Sequence, residues 1–147
     1  MTDRQQPKQG YIDNLRLSLR EQEQLLAELD QQGQRYHGSN RRTEDRTTYR
    51  PAQGVIIQMR HPGGSSANYV VAPRNLSRGG LGFLHGSFVY TGTPCIVILK
   101  TRGGKAVRVE GKIVNCRYVR GHVHEVGIRF HEPLRLVDFL PPSALGA

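Results

Sequence analysis

The hydrophobic pattern divides this chain into an N-terminal stretch with helical spacing and a longer C-terminal part with strand spacing. Ile12, Leu15, Leu19, Leu26 and Leu29 recur at spacings of three and four, with Gln22 filling one slot. That a/d pattern predicts an amphipathic helix over residues 10–33. Leu17 and Leu25 widen the stripe, and the glutamines that follow are polar but helix-compatible. Gly33 is the expected stop. The stripe can pack on the body of the protein, or it can pair with a second copy to make a homodimer. A short heptad run with a polar slot is marginal as an isolated coiled coil, and the pattern leaves both arrangements open. Residues 1–9 are polar and are expected to be disordered.

Residues 34–53 have no period and read as a charged linker. From residue 54 the texture is that of strands. Runs rich in β-branched and apolar residues occupy 54–60, 68–72, 81–84, 93–100, 106–118 and 122–130. Turn clusters such as 61–66 and 101–105 separate them. The predicted fold is all-β, a small six-stranded antiparallel barrel over residues 54–140, preceded by the amphipathic helix. Closure into a barrel removes exposed strand edges. Residues 134–140 are apolar enough to cover one mouth of the barrel, and 141–147 read as a tail.

Composition adds a charge asymmetry. The 147 residues suit one domain, with a net charge of +9 and a pI near 10.2. Residues 1–40 sum to −1, so the remainder carries +10. A basic body favours anionic partners such as nucleotides or nucleic acid. Cys95 and Cys116 lie in apolar stretches and form no CxxC pair, which reads as two buried reduced thiols. The N-terminus has no apolar leader, and no apolar run reaches the roughly 20 residues needed to cross a bilayer. A soluble, cytoplasmic protein without a membrane span is the expectation.

Two short patterns carry candidate chemistry. Arg42-Thr43-Glu44-Asp45-Arg46 is an RxxxR in the linker, with Arg41 directly before it. Asn75-Leu76-Ser77-Arg78-Gly79-Gly80 is an NxSxxG between two predicted strands. Each is weak alone, since basic linkers and Asn/Gly turns are common. Together they suit an anionic purine ligand. An Arg fork matches the O6 and N7 acceptors of guanine and the oxygens of phosphate. An amide such as that of Asn75 both donates and accepts along a base edge, and Ser77 adds a short hydroxyl. The arginines lie on a loop able to close, while Asn75 and Ser77 lie at an open strand end that serves as a floor.

Catalysis is not indicated. Ser77 lacks the GxSxG elbow of a nucleophile, and the barrel region offers no paired carboxylates. His122 and His124 alternate along a predicted strand without a third ligand, so no metal or other cofactor is expected. His61, His85 and His131 read as turn or surface residues.

RxxxR, then a hairpin, then NxSxxG on a six-stranded pattern ending in Val126-Gly127-Ile128-Arg129-Phe130 resembles the PilZ domain family. The resemblance covers about residues 41–131. It implies a six-stranded barrel whose usual ligand is cyclic di-GMP. It implies that Arg42 and Arg46 grip guanines and phosphates, with Arg41 as their neighbour. Asn75 and Ser77 would contact a guanine edge, and Gly80 would allow the close turn. Arg50, Arg78 and Gly79 are weaker candidates. Arg46 and Arg50 form a second RxxxR, so the register can shift by four. The receptor would relay the ligand level through the linker and helix to a downstream protein partner. The alternatives are an adaptor of the same fold without ligand binding, and a basic nucleic-acid-binding barrel, which needs exposed aromatic rings.

Overall fold

The computed structural model describes residues 11–36, 47–49, 51 and 54–141, with side chains omitted for 33–36. In chain order the elements are β1 (Tyr11–Ile12), α1 (Leu19–Tyr36), β2 (Thr47–Thr48), β3 (Val55–Arg60), β4 (Ser66–Leu76), β5 (Gly80–His85), β6 (Pro94–Lys100), β7 (Ala106–Arg120) and β8 (Val123–Phe130). The last six form an antiparallel sheet in the order β4-β3-β6-β7-β8-β5, and pairing of β5 with β4 closes it into a barrel. The expected all-β barrel with one N-terminal helix is the observed fold.

Alternation along each strand explains the interior. Val55, Ile57 and Met59 point inward from β3, as do Cys95, Val97 and Leu99 from β6. Phe83, Ile113, Val126 and Ile128 complete the centre. Burying each large apolar side chain stabilises by about 1.5–3 kcal/mol. A 3-10 turn at Leu136–Asp138 brings Leu134, Leu136, Phe139 and the buried Leu140 against this core, as the apolar segment 134–140 predicts. Both cysteines are free thiols; Cys95 is buried and Cys116 only half-buried.

The helix differs from its expected span. It starts at Leu19, not residue 10, and runs through Gly33 to Tyr36. Ile12 belongs to β1, which pairs in parallel with Asn68 and Tyr69 of β4. That pairing covers a stretch of β4 edge that β5 does not reach, and an unpaired edge is a liability. Leu15 is buried, Arg16 turns the chain with φ of 56°, and Ser18 caps the helix. The Ser18 hydroxyl accepts from Glu21 N–H at 3.1 Å, and the Glu21 carboxylate accepts from Ser18 N–H at 2.9 Å, a reciprocal capping box. A glycine inside a helix costs about 1 kcal/mol relative to alanine, too little to end it at Gly33.

Leu25, Leu26 and Leu29 bury against Ala72, Leu84 and Val123 on the outer barrel wall. The leucine stripe is therefore covered by this chain's own barrel, and of the two packing arrangements it adopts the one on the body. Leu19, assigned to the stripe by spacing, is 57% exposed. The expected disorder of residues 1–9 and most of the linker and tail lie outside the described residues.

Candidate functional site

The NxSxxG segment lies on the outer wall, where β4 turns into β5. Asn75 is brought there by a bulge. The register between β4 and β5 slips between Pro73 and Asn75, so Arg74 is the extra residue and Asn75 faces outward. Thr48 of β2 pairs with Asn75, and Thr47 with Leu76. The downstream end of the arginine linker is thus fastened beside the motif. Tyr49 follows, donating its N–H to the Arg74 carbonyl at 3.2 Å, and burial raises its phenol pKa.

Ser77 does more structural work than an open strand end requires. It is buried, its N–H donates to the Gly80 carbonyl at 2.9 Å, and its hydroxyl accepts from Gly80 N–H at 3.1 Å and from Gly79 N–H at 3.3 Å. Gly80 has no room for a side chain, because a Cβ there would lie 2.2 Å from the Ile128 carbonyl oxygen. The turn is also tied downstream. Phe130 N–H donates to the Gly79 carbonyl and Leu134 N–H to the Arg78 carbonyl, both at 2.8 Å. The side chain of Arg78 is exposed.

Asn75, Ser77, Arg78, Gly79 and Gly80 are therefore one constellation. Arg41, Arg42, Arg46 and Arg50 lie outside the described residues. Neighbours that sequence reasoning missed complete the wall. Arg74 bridges Asp30 of α1 at 3.1 Å and Glu125 of β8, and Glu125 also pairs with Arg117 of β7. Lys112 and Arg129 are register partners, and Gly80 pairs with Arg129, which sets two exposed cations in the outward row beside the turn. The wall can hold an anionic ligand with polar edges. Among the described residues no cluster of three or more His, Cys, Asp or Glu is arranged to hold a metal.

The histidines depart from expectation. His122 lies in the turn before β8 and meets the Leu15 carbonyl. His85 is 1% exposed rather than at the surface. Three aromatic residues, Phe88, Tyr90 and Tyr118, are well exposed near His124, away from the constellation.

The model of the PilZ domain family matches residues 40–139, which takes in the arginines of the linker from Arg41 on and all six barrel strands. The chain belongs to the PilZ domain family. No curated protein sequence matches it. Among solved structures, this PilZ chain is similar to the K. pneumonia MrkH–c-di-GMP complex, with TM-score 0.47, 16% identity, and 63% of this chain and 44% of that one covered. It is similar to the Bacillus subtilis inhibitor of motility (MotI/DgrA), with TM-score 0.45, 14% identity, and 67% and 46% covered. It is also similar to the PilZ domain with c-di-GMP of YcgR from Escherichia coli, with TM-score 0.43, 16% identity, and 71% and 83% covered. No helix among the described residues is long and apolar enough to cross a membrane.

Proposed function

We propose that this PilZ chain is a cyclic di-GMP receptor that acts by binding rather than by catalysis, and that relays the ligand level to a downstream protein. The observation that carries the reading is the pairing of β2 with the motif strand. Thr47 directly follows Arg46 in the chain and pairs with Leu76, between Asn75 and Ser77. That pairing holds Thr47 and Thr48, which directly follow the RxxxR motif in sequence, beside the NxSxxG turn. On this reading Arg42 and Arg46 are the gripping forks, Arg41 is their neighbour and Asn75 meets the base edge.

The relay runs through the same place. Residues 37–46 join the end of α1 to β2, and Arg74, next to Asn75, is ion-paired with Asp30 of α1. Ligand gripped by the linker arginines biases the helix between two arrangements, to the extent of its differential affinity for them. The leucine stripe is then a surface that becomes available to a partner as the helix moves.

Binding of nucleic acid is the second reading, favoured by exposed Phe88, Tyr90 and Tyr118 on a basic barrel. Calorimetric titration with cyclic di-GMP, GTP and single-stranded RNA separates the two. Saturable binding of cyclic di-GMP alone supports the receptor. Binding of RNA without cyclic di-GMP overturns it.

A further inference from the structure

Two bulges lie at one level of the barrel wall. The slip in β4 falls between Pro73 and Asn75, and a slip in β7 falls between Ile113 and Asn115. Strict alternation would send residues 75 and 115 inward, on the same side as Val71 and Ile113. Each bulge turns its asparagine outward instead, and Leu76 and Cys116 take the places against the core. The register then reads Asn75, Gly82, Gly127, Asn115 across four neighbouring strands. The two amides lean toward each other over the glycines. A Cβ on Gly82 would lie 2.9 Å from Asn75 Oδ1, and one on Gly127 would lie 2.8 Å from Asn115 Oδ1 and Nδ2. Opposed positions on adjacent strands are roughly 5 Å apart, so the amides overhang one patch of bare backbone within the span of a single base.

We infer that Asn115 is a second base-reading residue, which together with Asn75 holds one purine of the ligand over Gly82 and Gly127. This rests on the cyclic di-GMP reading above. Each amide offers an acceptor and two donors, and guanine shows donors and acceptors along its edges. The two glycines leave the wall low enough for a base to approach. The register pair Lys112 and Arg129 lies one outward row away, where phosphate oxygens of the same ligand meet a positive charge. An Asn amide also matches adenine, so Asn115 adds affinity for a purine while the choice of guanine rests with the arginine forks.

The test is a double-mutant cycle read by calorimetry with cyclic di-GMP, with thermal midpoints confirming that each variant is folded. Asn115→Ala is expected to weaken binding at least tenfold. Gly127→Ala places a methyl against the end of the Asn115 side chain, which can swing aside, so the fold is kept while the amide is displaced. It is expected to weaken binding by a similar factor, and to add less than twofold in the Asn115→Ala background. Asn115→Ala binding within twofold of wild type overturns the inference, as does an equal Gly127→Ala loss in both backgrounds. If Gly127→Ala fails to fold, Asn115→Ala decides alone. A wild-type chain that does not bind cyclic di-GMP removes the receptor reading and this inference together, whereas normal binding by the variants removes only the inference.

Discussion

Arg74 and Asp30 are joined across the seam between barrel and helix, with Arg74 Nε donating to Asp30 Oδ1 at 3.2 Å. Asp30 is partly exposed, so the pair contributes no more than about 1 kcal/mol. Its importance is positional, since Arg74 is the bulged residue beside Asn75. In hydrogen exchange, cyclic di-GMP is expected to protect residues 38–50 and to change protection within α1. Asp30→Ala is expected to keep affinity within about twofold and to remove the change in α1. Protection confined to the linker and the 75–80 turn in the wild type would sink the relay and spare the binding site.

Arg42→Ala and Arg46→Ala are each expected to weaken cyclic di-GMP binding at least tenfold, about 1.4 kcal/mol. On the proposed reading each substitution removes a charge-assisted contact to the ligand. Arg50→Ala is expected to do less, because Arg42 and Arg46 form the preferred of the two overlapping motifs. Calorimetry on the three variants distinguishes the registers. A silent Arg42→Ala beside a severe Arg50→Ala would move the motif by four residues.

Ser77 and Asn75 are expected to separate stability from binding. The buried Ser77 hydroxyl accepts from two backbone N–H groups, so Ser77→Ala leaves them unpaired at a cost of about 1–3 kcal/mol. Its thermal midpoint falls by several degrees. The Asn75 side chain faces outward, and Asn75→Ala lowers affinity with the midpoint nearly unchanged. Thermal melts with and without ligand check both, and equal midpoint losses in the two variants would return Asn75 to a purely structural role.

The barrel strands were legible because β3, β6 and β8 alternate plainly and glycine-rich turns bound them. NxSxxG was legible because Ser77 and Gly80 act locally, within one turn. Ile12 and Leu15 keep helical spacing without being helical, so spacing alone places the helix start too early; in the structure the reciprocal Ser18–Glu21 capping box marks it. Arg74, Glu125, Asn115 and Gly127 were not legible. Their roles depend on bulges, and a bulge is a property of strand pairing that a one-residue slip would reverse. His85 looked like a turn residue because Gly86 and Ser87 follow it. Its burial comes from residues distant in sequence, with Tyr69 stacked edge-on at 4.8 Å and Asn14 bonded to Gly86.

His85 sets a pH dependence that is independent of ligand. Its ring is 1% exposed, Nε2 meets the Ser87 hydroxyl at 3.2 Å, and Nδ1 has no hydrogen-bond partner among the described residues. Burial lowers its pKa to about 4, helped by the neighbouring His124 and His61. The folded chain therefore holds this imidazole neutral, while the unfolded chain takes up a proton near the ordinary histidine value of about 6.5. More protons on the unfolded state mean that stability rises with pH. His85's contribution is fully present above about pH 6.5 and is lost as the pH falls toward 4. The loss reaches about 3 kcal/mol at most, with a slope no steeper than about 1.4 kcal/mol per pH unit. Urea unfolding at intervals between pH 7 and pH 4 measures it. His85→Gln removes the titration, so its unfolding free energy is expected to fall less steeply on acidification than that of the wild type. Parallel pH profiles for wild type and His85→Gln would show that another group carries the acid sensitivity.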